Sequence, residues 1–289
     1  MCYINRQIEY VFRVTENIII YLGDTMIIYI EDLKKISKHE IKKTIRKINK
    51  KRKKENIKLV LSKKLSSVEE LKDKLCENNL EILDGRWLFN YLIYDALDYI
   101  SHCQNKKLDK QNVCILANDN NESTINNIYR IAQCVKNLKI VTKNIRKFMH
   151  LEQELYNNYG IAIQISNNAK KSLLHADMIV NVDFSQKILN NYSINPNAII
   201  INIKEKINIE SKRFQGININ YYKIEYNKEI LNNIINKEQY DMNILYESYI
   251  YRKDTYESIK KQLKKDNVRI LTLIGNNGEI YEEEYLKIS

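Results

Sequence analysis

Between residues 112 and 203 the chain alternates short apolar runs with longer segments whose apolar residues recur at helical spacing. The runs fall at 113–117 (Val-Cys-Ile-Leu-Ala), 138–142, 161–165, 178–182 and 198–203. The segments between them predict helices at 124–135 and 145–159 and a short one at 170–175. Strands separated by single helices imply a parallel sheet with right-handed crossovers. This pattern restricts the chain to the α/β class.

The rest of the chain is organised around that block. At 289 residues the length suits two ordinary domains, each with its own core. Residues 1–85 read as an N-terminal α/β domain. Its expected elements are strands at Ile8–Val14, Ile18–Leu22 and Met26–Ile30, the last two joined by a Gly23-Asp24 turn, then a helix from Ser37 to about Lys54. Ser37 stands three residues before Glu40, the spacing of a capping box. Strand 57–61, a helix from Ser66 or Ser67 through Leu71 and Leu75, and strand 80–83 complete it. Residues 86–111 form a connecting helix and linker. Leu88, Leu92, Ala96 and Ile100 make one stripe, flanked by Phe89, Ile93 and Leu97, so this helix is expected to be buried on more than one side. Asp84 reads as its N-cap and Trp87 as a core anchor, or Asp84, Arg86 and Trp87 line a ligand cleft. Residues 112–289 form the second domain, with a C-terminal helical extension. That extension holds a strand at 217–221, helices near 228–235 and 241–252, a helix from Asp254 and a last strand, 269–274.

Several classes are disfavoured. No apolar run approaches the roughly 20 residues that span a bilayer. Met1-Cys2-Tyr3-Ile4-Asn5-Arg6 lacks the apolar stretch of a secretory signal, so a cytoplasmic location is expected. The five cysteines are scattered, with no CxxC spacing, and the four histidines are equally dispersed, which indicates neither a disulfide framework nor a zinc site. Cys114 and Cys134 read as small buried hydrophobes. Six glycines and one proline leave asparagine to make many of the turns, since Asn tolerates positive φ and bonds its own backbone.

Three further segments carry a resemblance. They are Leu138-Lys139-Ile140-Val141-Thr142-Lys143-Asn144, Ala176-Asp177-Met178-Ile179-Val180-Asn181-Val182 and Pro196-Asn197-Ala198-Ile199-Ile200-Ile201-Asn202. Their order resembles the NAD(P)-binding, Rossmann-like domain of the shikimate dehydrogenase and glutamyl-tRNA reductase group, over about 90 of the 289 residues. The resemblance implies NADP as a candidate cofactor. It would place Thr142, Lys143, Asn144 and Arg146 at the adenosine ribose or its 2′-phosphate, and Asn181 and Asp183 near the nicotinamide. Asn118 and Asn120 would sit in the phosphate loop. The sequence also departs from the pattern. The loop Asn118-Asp119-Asn120-Asn121-Glu122-Ser123 holds none of the glycines that let backbone approach pyrophosphate. Asp183 replaces a small or hydroxyl residue, which would set an acid against an anionic ligand. Residues 1–85 contain no matching Lys and Asp pair for proton transfer.

Charge supplies the last constraint. Between Lys34 and Lys64 there are 15 Lys or Arg against two acids, Glu40 and Glu55, a local charge of +13 on a chain whose total is +11. The run Lys50-Lys51-Arg52-Lys53-Lys54 must be solvated and could hold nucleic acid or another anionic partner by counterion release. No catalytic residue is nominated, and three readings stay open. The first is non-catalytic ligand sensing or protein interaction through a degenerate nucleotide-binding domain without a cofactor. The second is an NADP-dependent oxidoreductase. The third is anion binding through the helix at 37–54.

Overall fold

The computed structural model describes residues 17–22, 25–30, 37–51, 57–227, 237–251 and 255–288. They divide into two compact units: one gathers the described residues of Met1–Gly85 and Asn227–Thr255, the other those of Arg86–Tyr226 and Tyr256–Ser289. The expected strand at 8–14, the Gly23-Asp24 turn, the helix near 228–235, and Arg52, Lys53, Lys54 and Asp254 lie outside the described residues.

The first unit opens with β1 (Asn17–Leu22) and β2 (Thr25–Ile30), paired antiparallel. Helix α1 (Lys38–Lys51) follows, and Ser37 Oγ accepts the Glu40 amide at 3.2 Å, as the spacing predicts. Then come β3 (Ile57–Leu61), α2 (Glu69–Glu77) and β4 (Glu81–Ile82). The sheet order is β1-β2-β3-β4, with β2, β3 and β4 parallel, so α1 and α2 serve as crossovers. Ile41, Ile45 and Ile48 on α1 share a core with Leu71 and Leu75 on α2, Leu59 and Leu61 on β3, and Leu65 and Leu80. One stripe of isoleucines at helical spacing is thus enough to seat a helix otherwise covered in charge.

The second unit begins with α3 (Arg86–Tyr91) and α4 (Ile93–Cys103). The single helix expected from Arg86 is broken at Leu92 (φ −101°, ψ 10°), and the Tyr91 carbonyl at the break receives Lys260 Nζ at 3.0 Å. The alternating block then runs β5 (Asn112–Leu116), α5 (Glu122–Ala132), β6 (Asn137–Val141), α6 (Ile145–Tyr159), β7 (Gln164–Ser166), β8 (Met178–Asn181), α7 (Gln186–Leu189), β9 (Ile199–Asn202) and β10 (Ile217–Ile219). The short helix expected at 170–175 is instead a run of turns. Asn168 Oδ1 accepts the amides of Lys170 and Lys171 there, and Leu173 bridges to Ile194. The strand expected at 217–221 is split. Asn220 is buried and donates its amide to Ile274 O, and the chain leaves one sheet there for another.

Beyond it lie β11 (Tyr221–Glu225), α8 (Met242–Ile250, in the first unit), α9 (Tyr256–Lys265), β12 (Arg269–Ile274) and α10 (Glu282–Leu286). β11 and β12 pair antiparallel as a separate ribbon. All six strands of the main sheet are parallel, in the order β7-β6-β5-β8-β9-β10. Counted along the chain this is 3-2-1-4-5-6, the order of the Rossmann-like fold, with its topological switch between β5 and β8. Cys114, Leu116, Val141, Ile179, Phe184, Ala198, Ile200 and Ile207 fill one face of the sheet. Among the described residues no helix is long and apolar enough to cross a membrane.

Candidate functional site

In an open parallel sheet the ligand crevice lies beyond the carboxyl ends of the strands, where neighbouring connections diverge to opposite faces. Here that place lies between the loop after β5 and the loop after β8. The side chain of Asp183 occupies it. Its two carboxylate oxygens each accept the Asn118 amide at 2.9 Å. Oδ1 also accepts Asn118 Nδ2 at 3.2 Å, and Oδ2 accepts the Asp119 amide at 3.0 Å. Backbone N–H groups that a glycine-rich loop would offer to a pyrophosphate are thus bonded to an anion of the protein's own.

Asp183 is aimed by Asn181. At the end of β8 the buried Asn181 side chain accepts the Phe184 amide at 2.9 Å and donates to the Phe184 carbonyl at 3.0 Å, closing a tight turn around residue 183. The two residues placed near a nicotinamide by resemblance therefore work as one device, directed at the loop after β5.

The same loop is stapled to the β6–α6 connection. Lys143 N donates to Asn118 Oδ1 at 3.0 Å, Asn144 Nδ2 to Asn118 O at 3.3 Å, and Asn120 Nδ2 to Lys147 O at 3.2 Å. Lys147 Nζ lies 2.8 Å from Asp119 Oδ1, and this ammonium holds the Asp119 carboxyl below the usual carboxylate range. Thr142 is fully buried and its hydroxyl accepts the Asn144 amide at 3.0 Å. Of the eight sequence-predicted site residues, Asn118, Asn120, Thr142, Lys143, Asn144 and Asp183 thus lie in one bonded cluster, with Asn181 behind it. Arg146 is exposed on α6. The first turn of α5, where a phosphate would dock, is capped by Asn121, whose Oδ1 accepts the Thr124 amide at 2.9 Å and the Ser123 hydroxyl at 2.8 Å.

A second network was missed in the sequence. Asn181 and Asn202 are partners at the ends of β8 and β9, and Asn181 Nδ2 donates to Asn202 Oδ1 at 3.1 Å. Asn202 Nδ2 continues to Asn218 Oδ1 at 2.8 Å and Asn220 Oδ1 at 3.1 Å, and Asn220 Nδ2 to Asn276 Oδ1 at 2.6 Å. The Arg86 guanidinium donates to the carbonyls of Ile203 at 2.8 Å and Asn220 at 3.2 Å. Its fork is thus turned onto the protein's own backbone. The available signal was an asparagine ending each of two apolar runs, Ile-Val-Asn181 and Ile-Ile-Asn202. Cys114 has no nucleophile's setting: burial pushes its thiol up to about 12. Among the described residues no group of three His, Cys, Asp or Glu could hold a metal ion.

No protein-family model matches the chain, and no curated protein matches its sequence.

Proposed function

We propose that this chain is a non-catalytic protein whose Rossmann-like sheet serves ligand sensing or protein interaction, without dinucleotide chemistry. The observation that carries this reading is the Asp183 carboxylate on the Asn118 and Asp119 amides. A pyrophosphate entering the same place would have to displace a carboxylate already hydrogen-bonded, and any carboxylate left nearby would repel it. The asparagine network across the ends of β8, β9 and β10 adds support, because it satisfies internally the polar groups that a nicotinamide ring would need. Isothermal titration with NADPH and with NADH, each to millimolar concentration, is expected to give no binding heat. Saturation by either nucleotide below that range would overturn the reading.

The rival reading is an NADP-dependent oxidoreductase resembling shikimate dehydrogenase. It draws on Lys143 and Arg146, both exposed beyond the end of β6, as a clamp for a 2′-phosphate. It requires NADPH to bind more tightly than NADH and Lys143→Glu to reduce the difference, so the same titration decides between the two.

A further inference from the structure

We propose that the outward face of α1 is a docking surface for the phosphate backbone of duplex DNA, read without sequence preference. His39, Lys42, Lys43, Arg46, Lys47 and Lys50 lie together on one open face of the helix. Their spacing of three and four residues puts them on one side of the helix. The opposite side, Ile41, Ile45 and Ile48, is buried in the first unit's core. The cations are therefore displayed from a seated helix and not from a free tail. This surface shares only Lys50 with the run Lys50–Lys54 that the sequence singles out, and it belongs to a different unit from the Asp183 site, so the two proposals do not depend on each other.

The occupant follows from charge and from what the face lacks. From His39 to Lys50 the helix extends about 16 Å, at roughly 1.5 Å per residue. Duplex DNA presents one phosphate charge about every 1.7 Å of its axis, so a ridge of this length meets several phosphates. An interfacial membrane helix needs its apolar side for the acyl boundary, and here that side is spent on the core. None of the six is Phe, Tyr or Trp, and His39 supplies the single ring among them, so successive bases of a single strand have no row of rings to stack on. Arg46 is the only guanidinium among them, which leaves point charges suited to a backbone and not to base edges. The wide major groove of B-form DNA leaves phosphates on both sides of a helical ridge within lysine reach, whereas the major groove of A-form RNA is narrow.

The test uses the full chain and a fluorescein-labelled 30-base-pair DNA duplex of arbitrary sequence, followed by anisotropy between 50 and 200 mM salt. With four to five phosphates neutralised, affinity should fall about 100-fold or more over that range. The variant Lys42→Gln/Lys43→Gln/Arg46→Gln/Lys47→Gln should lose binding and most of the salt slope while keeping the wild-type circular dichroism and melting temperature. Lys42→Arg/Lys43→Arg/Lys47→Arg, which keeps the charge, should retain both. Absence of wild-type binding at 50 mM salt would overturn the proposal. So would loss of binding in the arginine variant, or full binding by a folded glutamine variant. Tighter binding of an RNA duplex, or of vesicles of phosphatidylcholine and phosphatidylserine that the DNA fails to displace, would give the face to a different partner and overturn it equally.

Discussion

The amides of Asn118 and Asp119 and the carboxylate of Asp183 stand more than 60 positions apart in the chain and meet at the sheet's switch point. A charged acceptor there holds three N–H groups, those two amides and Asn118 Nδ2, so Asp183 should contribute to stability as well as filling the crevice. Asp183→Asn keeps the shape and removes the charge. It is expected to lower unfolding stability by about 1–3 kcal/mol in urea titrations, and an unchanged midpoint would show that the loop finds other acceptors. Lys260 offers a second case. Its ammonium bonds Asp95 Oδ2 at 2.8 Å and Tyr91 O at 3.0 Å, yet burial lowers its pKa, with Asp95 opposing the shift. The folded chain therefore gives up this proton at lower pH than the unfolded chain does. Stability from this group should rise with pH through the window below 10.5, the ordinary lysine value. Lys260→Met should remove that increment. At neutral pH it should also cost about 1–3 kcal/mol, because the Tyr91 carbonyl loses its bond and Asp95 is left, among the described residues, with Arg130 at 3.9 Å. A pH–stability curve identical to wild type would refute the assignment.

At the scale of elements, what the sequence made legible tracks how far each element is determined locally. The strands at 113–117, 138–142, 178–182 and 198–203 and the helix 145–159 are found within a residue or two of expectation, because each is a full apolar period bounded by polar residues. The turns at 170–175 and the break at Leu92 were not legible, because distant or side-chain bonds set them: Asn168 onto the following amides, and Lys260 onto Tyr91 O. Two glycines sort by the same logic. Gly160 caps α6 in the left-handed region at φ 67° with open space around it, so Gly160→Ala should cost only the backbone strain of about 1 kcal/mol. A Cβ at Gly216 would stand 2.0 Å from the Ala198 carbonyl oxygen, and the start of β10 would have to leave β9. Gly216→Ala should therefore cost about 3 kcal/mol or more. Thermal midpoints of the two variants, compared side by side, test the ranking, and a milder effect at Gly216 would contradict the close approach of these strands.

Taken as a whole, the molecule keeps its charge and its candidate crevice in separate units. The positive excess was legible as a count, and the spacing of Ile41, Ile45 and Ile48 marked the apolar stripe of the helix, whose burial in the core leaves the cations on the other side. The crevice was legible only as an address. The resemblance led to Asn118, Asn181 and Asp183, while their mutual bonds required the three-dimensional arrangement of strand ends. The same division bears on unfolding. Each unit has its own core, with Leu75 fully buried in one and Ile200 fully buried in the other. Separate cores allow separate cooperative transitions. Scanning calorimetry is therefore expected to show a van't Hoff enthalpy below the calorimetric one. Removing a buried aliphatic side chain costs about 2–5 kcal/mol, enough to displace one transition from the other. Leu75→Ala should lower one component and Ile200→Ala the other. A single transition that both substitutions lower together would show that the two units unfold as one.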